Sequence, residues 1–210
     1  MSDAGEALPG TAPEPEELAR ANLYGLVSRF FYAPADPNLL AEISSARGDA
    51  DDKEGGSEND LAAAWRDLRK VCRTAYPPVV RQEYDGLFIG VGKAAVTPYL
   101  SAYAEPHSPD RYLVRLREQL DAWGLARRDS VFEVEDHISG ACDVMRWLIE
   151  GTRPLAEQRT FFHSFVYPGA TPLFVAVQNT PSLTFYQHVA KFAAQFFELE
   201  KVAFEMEDAA

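Results

Sequence analysis

Ile138-Ser139-Gly140-Ala141-Cys142-Asp143-Val144-Met145-Arg146-Trp147-Leu148-Ile149-Glu150-Gly151 decides the fold. Its apolar residues Ile138, Ala141, Cys142, Met145, Leu148 and Ile149 recur three and four places apart, the spacing that lines one face of an α-helix, and Gly151 closes the run. The same period returns in almost every other ordered stretch, and no run of useful length alternates with the period of two that marks a half-buried strand. The chain is therefore expected to be all-α, a single globular domain of about eight or nine helices.

Toward the C-terminus, Phe161, Phe162 and Phe165 mark a further helix and Thr171-Pro172 opens a short one. Ser182 onward gives a long helix with Val189, Phe192, Ala193 and Phe196 on one face, followed by an acidic tail over 201–210. Toward the N-terminus, Ser108-Pro109-Asp110 supplies a cap, a first-turn proline and a first-turn acid to a helix bearing Leu113, Leu116, Leu120 and Trp123, which Gly124 ends. Val80, Tyr84, Leu87 and Phe88 form a helix that stops at Gly90 and Gly92, and Pro77-Pro78 separate it from one spanning Asp60 to Ala75. Asp36-Pro37 starts a short helix, and the first helix follows Pro15-Glu16-Glu17 and runs to Pro34. The helical domain is thus expected over 16–200, with a disordered acidic arm at 1–15 and a mobile acidic loop at 47–59, which has no apolar residue beyond Ala50.

The balance of 32 acidic against 20 basic residues gives a net charge of −12, which opposes nucleic acid and anionic lipid and favours a cationic partner such as a basic peptide. No stretch approaches the roughly 18 consecutive apolar residues of a membrane span, and the N-terminal arm lacks the basic and apolar regions of a secretory leader, so a cytoplasmic protein without stable membrane insertion is expected. Cys72 and Cys142 lie in apolar helical stripes without metal-ligand spacing, which reads as two buried free thiols.

Catalytic and cofactor motifs fail on spacing. Gly90-Val91-Gly92-Lys93 invites a phosphate-loop reading, but G-x-x-x-x-G-K-[ST] needs Gly at 87 and Ser or Thr at 94, where the chain has Leu87 and Ala94. A helix-joining loop is the expected role, with weak GTP binding as the alternative. Glu133, Glu135, Asp136 and His137 form the one acid–histidine cluster, yet Glu-x-x-His and H-E-x-x-H are both absent, so neither a metal nor a catalytic centre is expected. Arg127-Arg128 is internal and followed by Asp129, as in a solvated loop. By itself, Asp136-His137 reads as a helix start, with the acid near the positive end of the dipole.

One further set of residues bears on function. Glu83-Tyr84-Asp85-Gly86-Leu87-Phe88, then Pro98-Tyr99-Leu100-Ser101-Ala102-Tyr103, then Glu135-Asp136-His137-Ile138 follow one another as E-Y-x-x-L-F, P-Y-x-S-x-Y and E-D-H-I. In that order they resemble the TorD-like family of cytoplasmic redox-enzyme maturation chaperones, over about Leu18 to about Phe197. The sequence differs from many relatives at Leu100, where they carry Glu, and at Val134, where they carry Pro. The resemblance implies an all-helical, non-enzymatic chaperone for a molybdenum-containing oxidoreductase exported through the twin-arginine pathway. It implies binding of the leader and the apo-protein, assistance with molybdopterin insertion, and a monomer or helix-swapped dimer. Its client-recognition segments map onto Asp136, His137, Pro98, Tyr99, Ser101 and Tyr103. A leader with two guanidinium groups and an apolar run needs carboxylates beside an aromatic groove. Glu135, Asp136 and Glu83 are candidates for the first, and Tyr84, Phe88, Tyr99 and Tyr103 for the second, with core packing as the other reading of the tyrosines. A generic helical adaptor and a nucleotide-responsive protein are the rival functions.

Overall fold

The computed structural model describes residues 13–46, 60–90, 94–125, 134–181 and 183–207. The expectations for the phosphate-loop candidate at 91–93, for Glu133, for Arg127-Arg128 and for the segments 1–12 and 47–59 fall outside them. Among the described residues the chain is all-α, as the apolar period demands.

Proline and acid placement sets the helix starts. Helix α1 (Pro15–Tyr32) has its proline in the first turn with Glu16 and Glu17, and α2 (Pro37–Ser45) is capped by the Asp36 carboxylate, which accepts from the Leu39 amide at 2.9 Å. Helices α3 (Asp60–Thr74) and α4 (Pro77–Tyr84) follow, and α4 passes into a π-helical turn over Asp85–Ile89 that ends at Gly90. Gly90 has φ 61° and ψ 153°, a backbone region open only to glycine. The single-turn α5 (Ser101–Ala104), α6 (Pro109–Ala122) and α7 (Ile138–Glu150) come next. Then α8 (Leu155–Phe161), a second π-turn over Phe162–Val166 and α9 (Tyr167–Gln178) form one continuous run before α10 (Phe185–Glu207).

Counting each continuous run once gives nine helical segments among the described residues. Pro172 lies inside α9 instead of opening a helix, because the π-turn feeds the backbone directly into Tyr167 and Pro168 takes the first-turn position. Helix α10 begins at Phe185, and it continues through 201–207, the start of the expected tail, where Phe204 is buried against Phe162 at a ring separation of 5.3 Å.

Helix α10 is the axis of the core. Phe185, Tyr186, Val189, Phe192, Phe196 and Phe197 on it are all buried, and α3, α4 and α9 pack around them. Tyr24 of α1 meets Phe196 edge-on at 4.8 Å, Phe174 of α9 meets Phe197 at 5.2 Å, and Trp65 of α3 meets Phe192 at 5.4 Å. The first two pairs are edge-to-face, an arrangement that adds to the burial energy. On the opposite side α1 packs along α7. Cys72 and Cys142 are buried as free thiols, and burial pushes the Cys72 thiol up from 9.0 to about 12. No described helix is long and apolar enough to cross a membrane.

Candidate functional site

The residues singled out by motif assemble into two internal clasps. In the first, Glu83 closes the N-terminus of α10. A helix leaves its first amides without intrahelical acceptors, and the Glu83 carboxylate takes the amides of Thr184 at 3.0 Å, Phe185 at 3.0 Å and Tyr186 at 3.1 Å, together with the Thr184 hydroxyl at 2.7 Å. It is a cap supplied from 101 residues away in the chain. Next to it, the Tyr84 hydroxyl lies 3.0 Å from the carbonyls of both Phe31 and Tyr32, at the C-terminus of α1 where carbonyls lack partners. The E-Y dipeptide therefore joins the end of α1 to the start of α10, with Leu87 buried behind it.

The second clasp joins P-Y-x-S-x-Y to E-D-H-I. Tyr99 and His137 form an isolated antiparallel bridge, in which the Leu100 amide donates to the Asp136 carbonyl at 2.9 Å and the Ile138 amide to the Pro98 carbonyl at 3.0 Å. Side chains repeat the connection. The Asp136 carboxylate accepts from the Ser101 amide, at the head of α5, at 3.2 Å. His137 caps α7, its Nδ1 accepting from the Ser139 amide at 3.2 Å and lying 2.6 Å from Ser139 Oγ. The Tyr99 ring stands edge-on to the His137 ring at 5.5 Å, and the Tyr103 hydroxyl donates to the Thr97 carbonyl at 3.1 Å. Beneath lies Tyr112, donating to the Phe165 carbonyl, its phenol pushed up by burial and further by the Asp136 charge.

This geometry places the candidates unequally. Asp136 is 2% exposed and Glu83 9%, and each is turned into a helix end, so neither carboxylate is presented to a guanidinium arriving from outside. Pro98, Ser101, Tyr84 and His137 are buried too. Glu135, Tyr99 and Tyr103 are half-buried, and Glu135 pairs with Arg117 at 2.9 Å. Phe88 packs on Phe31, Tyr84 and Tyr186. Glu83, Tyr84 and Phe88 lie at the first clasp and the other seven in the segments that form the second.

Three structural contributors carry no signal in the sequence pattern. Thr184 supplies two of the donors to Glu83, and Leu100, fully buried, holds the centre of the second clasp. Gly169 on α9 lets that helix lie against Leu100, since a Cβ there would sit 2.6 Å from the Leu100 carbonyl oxygen. Among the described residues no group of three or more His, Cys, Asp or Glu is placed to hold a metal ion.

Both clasps are built from the residues that carried the resemblance. A family model, the nitrate reductase delta subunit, matches residues 54–198, more than half of the chain and inclusive of both clasps apart from α1. The chain belongs to the nitrate reductase delta subunit family. This is a family of molybdoenzyme-maturation chaperones, TorD-like in type, and not a family of catalysts. No curated protein matches the chain. The three motifs of this chain act as fasteners: E-Y-x-x-L-F ties α1 to α10, and P-Y-x-S-x-Y with E-D-H-I ties α5 to α7.

Proposed function

We propose that the protein binds the twin-arginine leader and the apo form of one molybdenum-containing oxidoreductase of the dimethyl-sulfoxide-reductase superfamily. It holds the client in the cytoplasm while the molybdopterin cofactor is inserted and releases it to export afterwards, without catalysing a reaction itself. The family match over residues 54–198 carries this reading. The net charge of −12 supports it, because a surface of that sign attracts a leader with two guanidinium groups and repels nucleic acid.

The experiment is a pull-down with tagged protein from its native host, grown with and without molybdate. Recovery of one molybdoenzyme catalytic subunit, enriched when molybdate is withheld and cofactor insertion stalls, is the expected result. Recovery of unrelated proteins, or of cofactor-loaded client at equal yield, would replace the chaperone by a general adaptor.

A further inference from the structure

Glu135 and Asp136 are neighbours in the second clasp with different partners. Asp136 is turned inward onto the Ser101 amide, whereas the Glu135 carboxylate meets Arg117 of α6, whose Nη2 lies 2.9 Å and Nε 3.3 Å from its Oε2. The Glu135 side chain is 19% exposed and that of Arg117 50%, so the carboxylate is sheltered and the guanidinium is the outer partner. A pair with so exposed a cation contributes little to stability, and swinging the arginine out into water meets little resistance.

Acids border this place from α6 as well. Asp110 stands two turns before Arg117 on the same face of the helix, with Val114, 53% exposed, between them. The hydrogen bond to Glu135, then the charges of Glu135, Asp136 and Asp110, hold the Arg117 pKa above its ordinary value. The other two arginines of α6, Arg111 and Arg115, lie four apart on a different face, and Arg115 is bonded to Glu105. With the Arg117 side chain swung out, three carboxylates stand beside an exposed valine, an arrangement that selects a cation joined to an apolar group.

We propose that Arg117 is a built-in competitor for the client: its guanidinium holds on Glu135 the place that one leader arginine takes, and the leader binds by displacing it. The contact is autoinhibitory. A peptide with a single weak cation does not outcompete an arginine fixed on α6, and Arg117 returns to Glu135 when the client leaves, which favours release. The inference rests on the leader-binding reading above.

The test titrates the full-length protein with a dye-labelled synthetic peptide carrying two adjacent arginines followed by a leucine–alanine run, and anisotropy reports binding. Arg117→Gln should tighten binding by roughly two- to fivefold because it removes the resident competitor, an effect that a merely structural pair would not produce. Glu135→Gln should raise Kd by roughly three- to tenfold, and adding Arg117→Gln to it should then bring no gain, since the two guanidinium groups no longer have a carboxylate to contend for. Arg111→Gln makes the same change in net charge on another face of α6 and should leave Kd within about twofold of wild type. Equal tightening by Arg117→Gln and Arg111→Gln, a gain from Arg117→Gln that persists beside Glu135→Gln, or no gain at all would overturn the competitor while leaving leader binding intact. Absence of binding by both wild type and Arg117→Gln would overturn the competitor and leader binding together, and the pull-down would then decide whether the chaperone recognises the body of the client alone.

Discussion

Glu83→Gln should destabilise the fold without touching any exposed surface. The wild-type carboxylate accepts from three consecutive amides and one hydroxyl at 2.7–3.1 Å, at the positive end of a helix of 23 residues. Glutamine keeps one acceptor oxygen, but its NH2 group then faces amides that need acceptors, and the charge that complements the dipole is gone. Charge-assisted hydrogen bonds of this kind contribute about 1.5–3 kcal/mol, and a partly buried charge at a helix end up to about 2 kcal/mol. Because part of the bonding survives, the expected net loss is about 2–4 kcal/mol. For a domain of this length that lowers Tm by about 4–16 °C. Urea unfolding followed by tryptophan emission reads it directly, since Trp65 packs 5.4 Å from Phe192 on the affected helix. Hydrogen exchange adds a local readout: the amides of Thr184, Phe185 and Tyr186 should lose protection before the rest of α10. A loss below about 0.5 kcal/mol, within the range of neutral surface changes, would refute the cap as a stabilising element. Weakened peptide affinity with unchanged stability would return Glu83 to the role of guanidinium receptor.

Three further outcomes follow from the packing. Gly169→Ala would gain about 1 kcal/mol from helix propensity alone, but its Cβ would meet the Leu100 carbonyl at 2.6 Å, so a net loss of about 1–3 kcal/mol is expected in urea unfolding. Glu200→Ala removes the acceptor of Arg20 Nε at 2.9 Å and of the Tyr24 hydroxyl at 3.0 Å, leaving Arg20 with Glu17 and the Tyr24 hydroxyl unpaired, for an expected loss of about 2–4 kcal/mol by the same assay. Alkaline pH should unfold the chain: burial raises the Cys72 thiol from 9.0 to about 12 and pushes the Tyr24 and Tyr186 phenols up from 10.0, so these groups stay neutral in the folded state and ionise in the unfolded one. Stability is then fully present below about pH 9 and declines above it, and absorbance at the tyrosinate band should rise together with loss of helical circular dichroism instead of before it.

The helices were legible because their information is local. In α7 the apolar period, the start after His137 and the stop at Gly151 are all local, and the buried apolar set Ile138, Ala141, Cys142, Met145, Leu148 and Ile149 is the one that the period marks. Pro172 misled because proline signals a helix start only when nothing feeds the backbone from upstream, and a π-turn does so here. The site was half legible. Motif order picked out Glu83, Tyr84, Asp136 and His137, but their side chains sit at helix ends, where periodicity does not define an inner face. Their partners lie far off in sequence, Thr184 at 101 residues from Glu83 and Ser101 at 35 from Asp136, and only the folded chain brings them together.

That the most recognisable residues are fasteners bears on how a chaperone of this kind must work. It has to hold a client and later release it, so its contact groups need partners that exchange readily. The clasp residues are poorly suited to such exchange, since withdrawing Asp136 from the Ser101 amide, or Glu83 from the start of α10, leaves buried polar groups without partners and costs several kcal/mol in stability. Exposed pairs such as Arg29 with Glu42 have the opposite property: each partner can return to water or accept a substitute at small cost. The buried clasps fasten α1 to α10 and α5 to α7. A change in a clasp should therefore weaken client binding only in proportion to the fraction of chain that it unfolds, whereas a change in an exposed group that contacts the client should alter affinity at constant stability. Measuring Kd and unfolding free energy on the same set of variants separates the two, because clasp variants and client-contact variants fall on different lines when one quantity is plotted against the other.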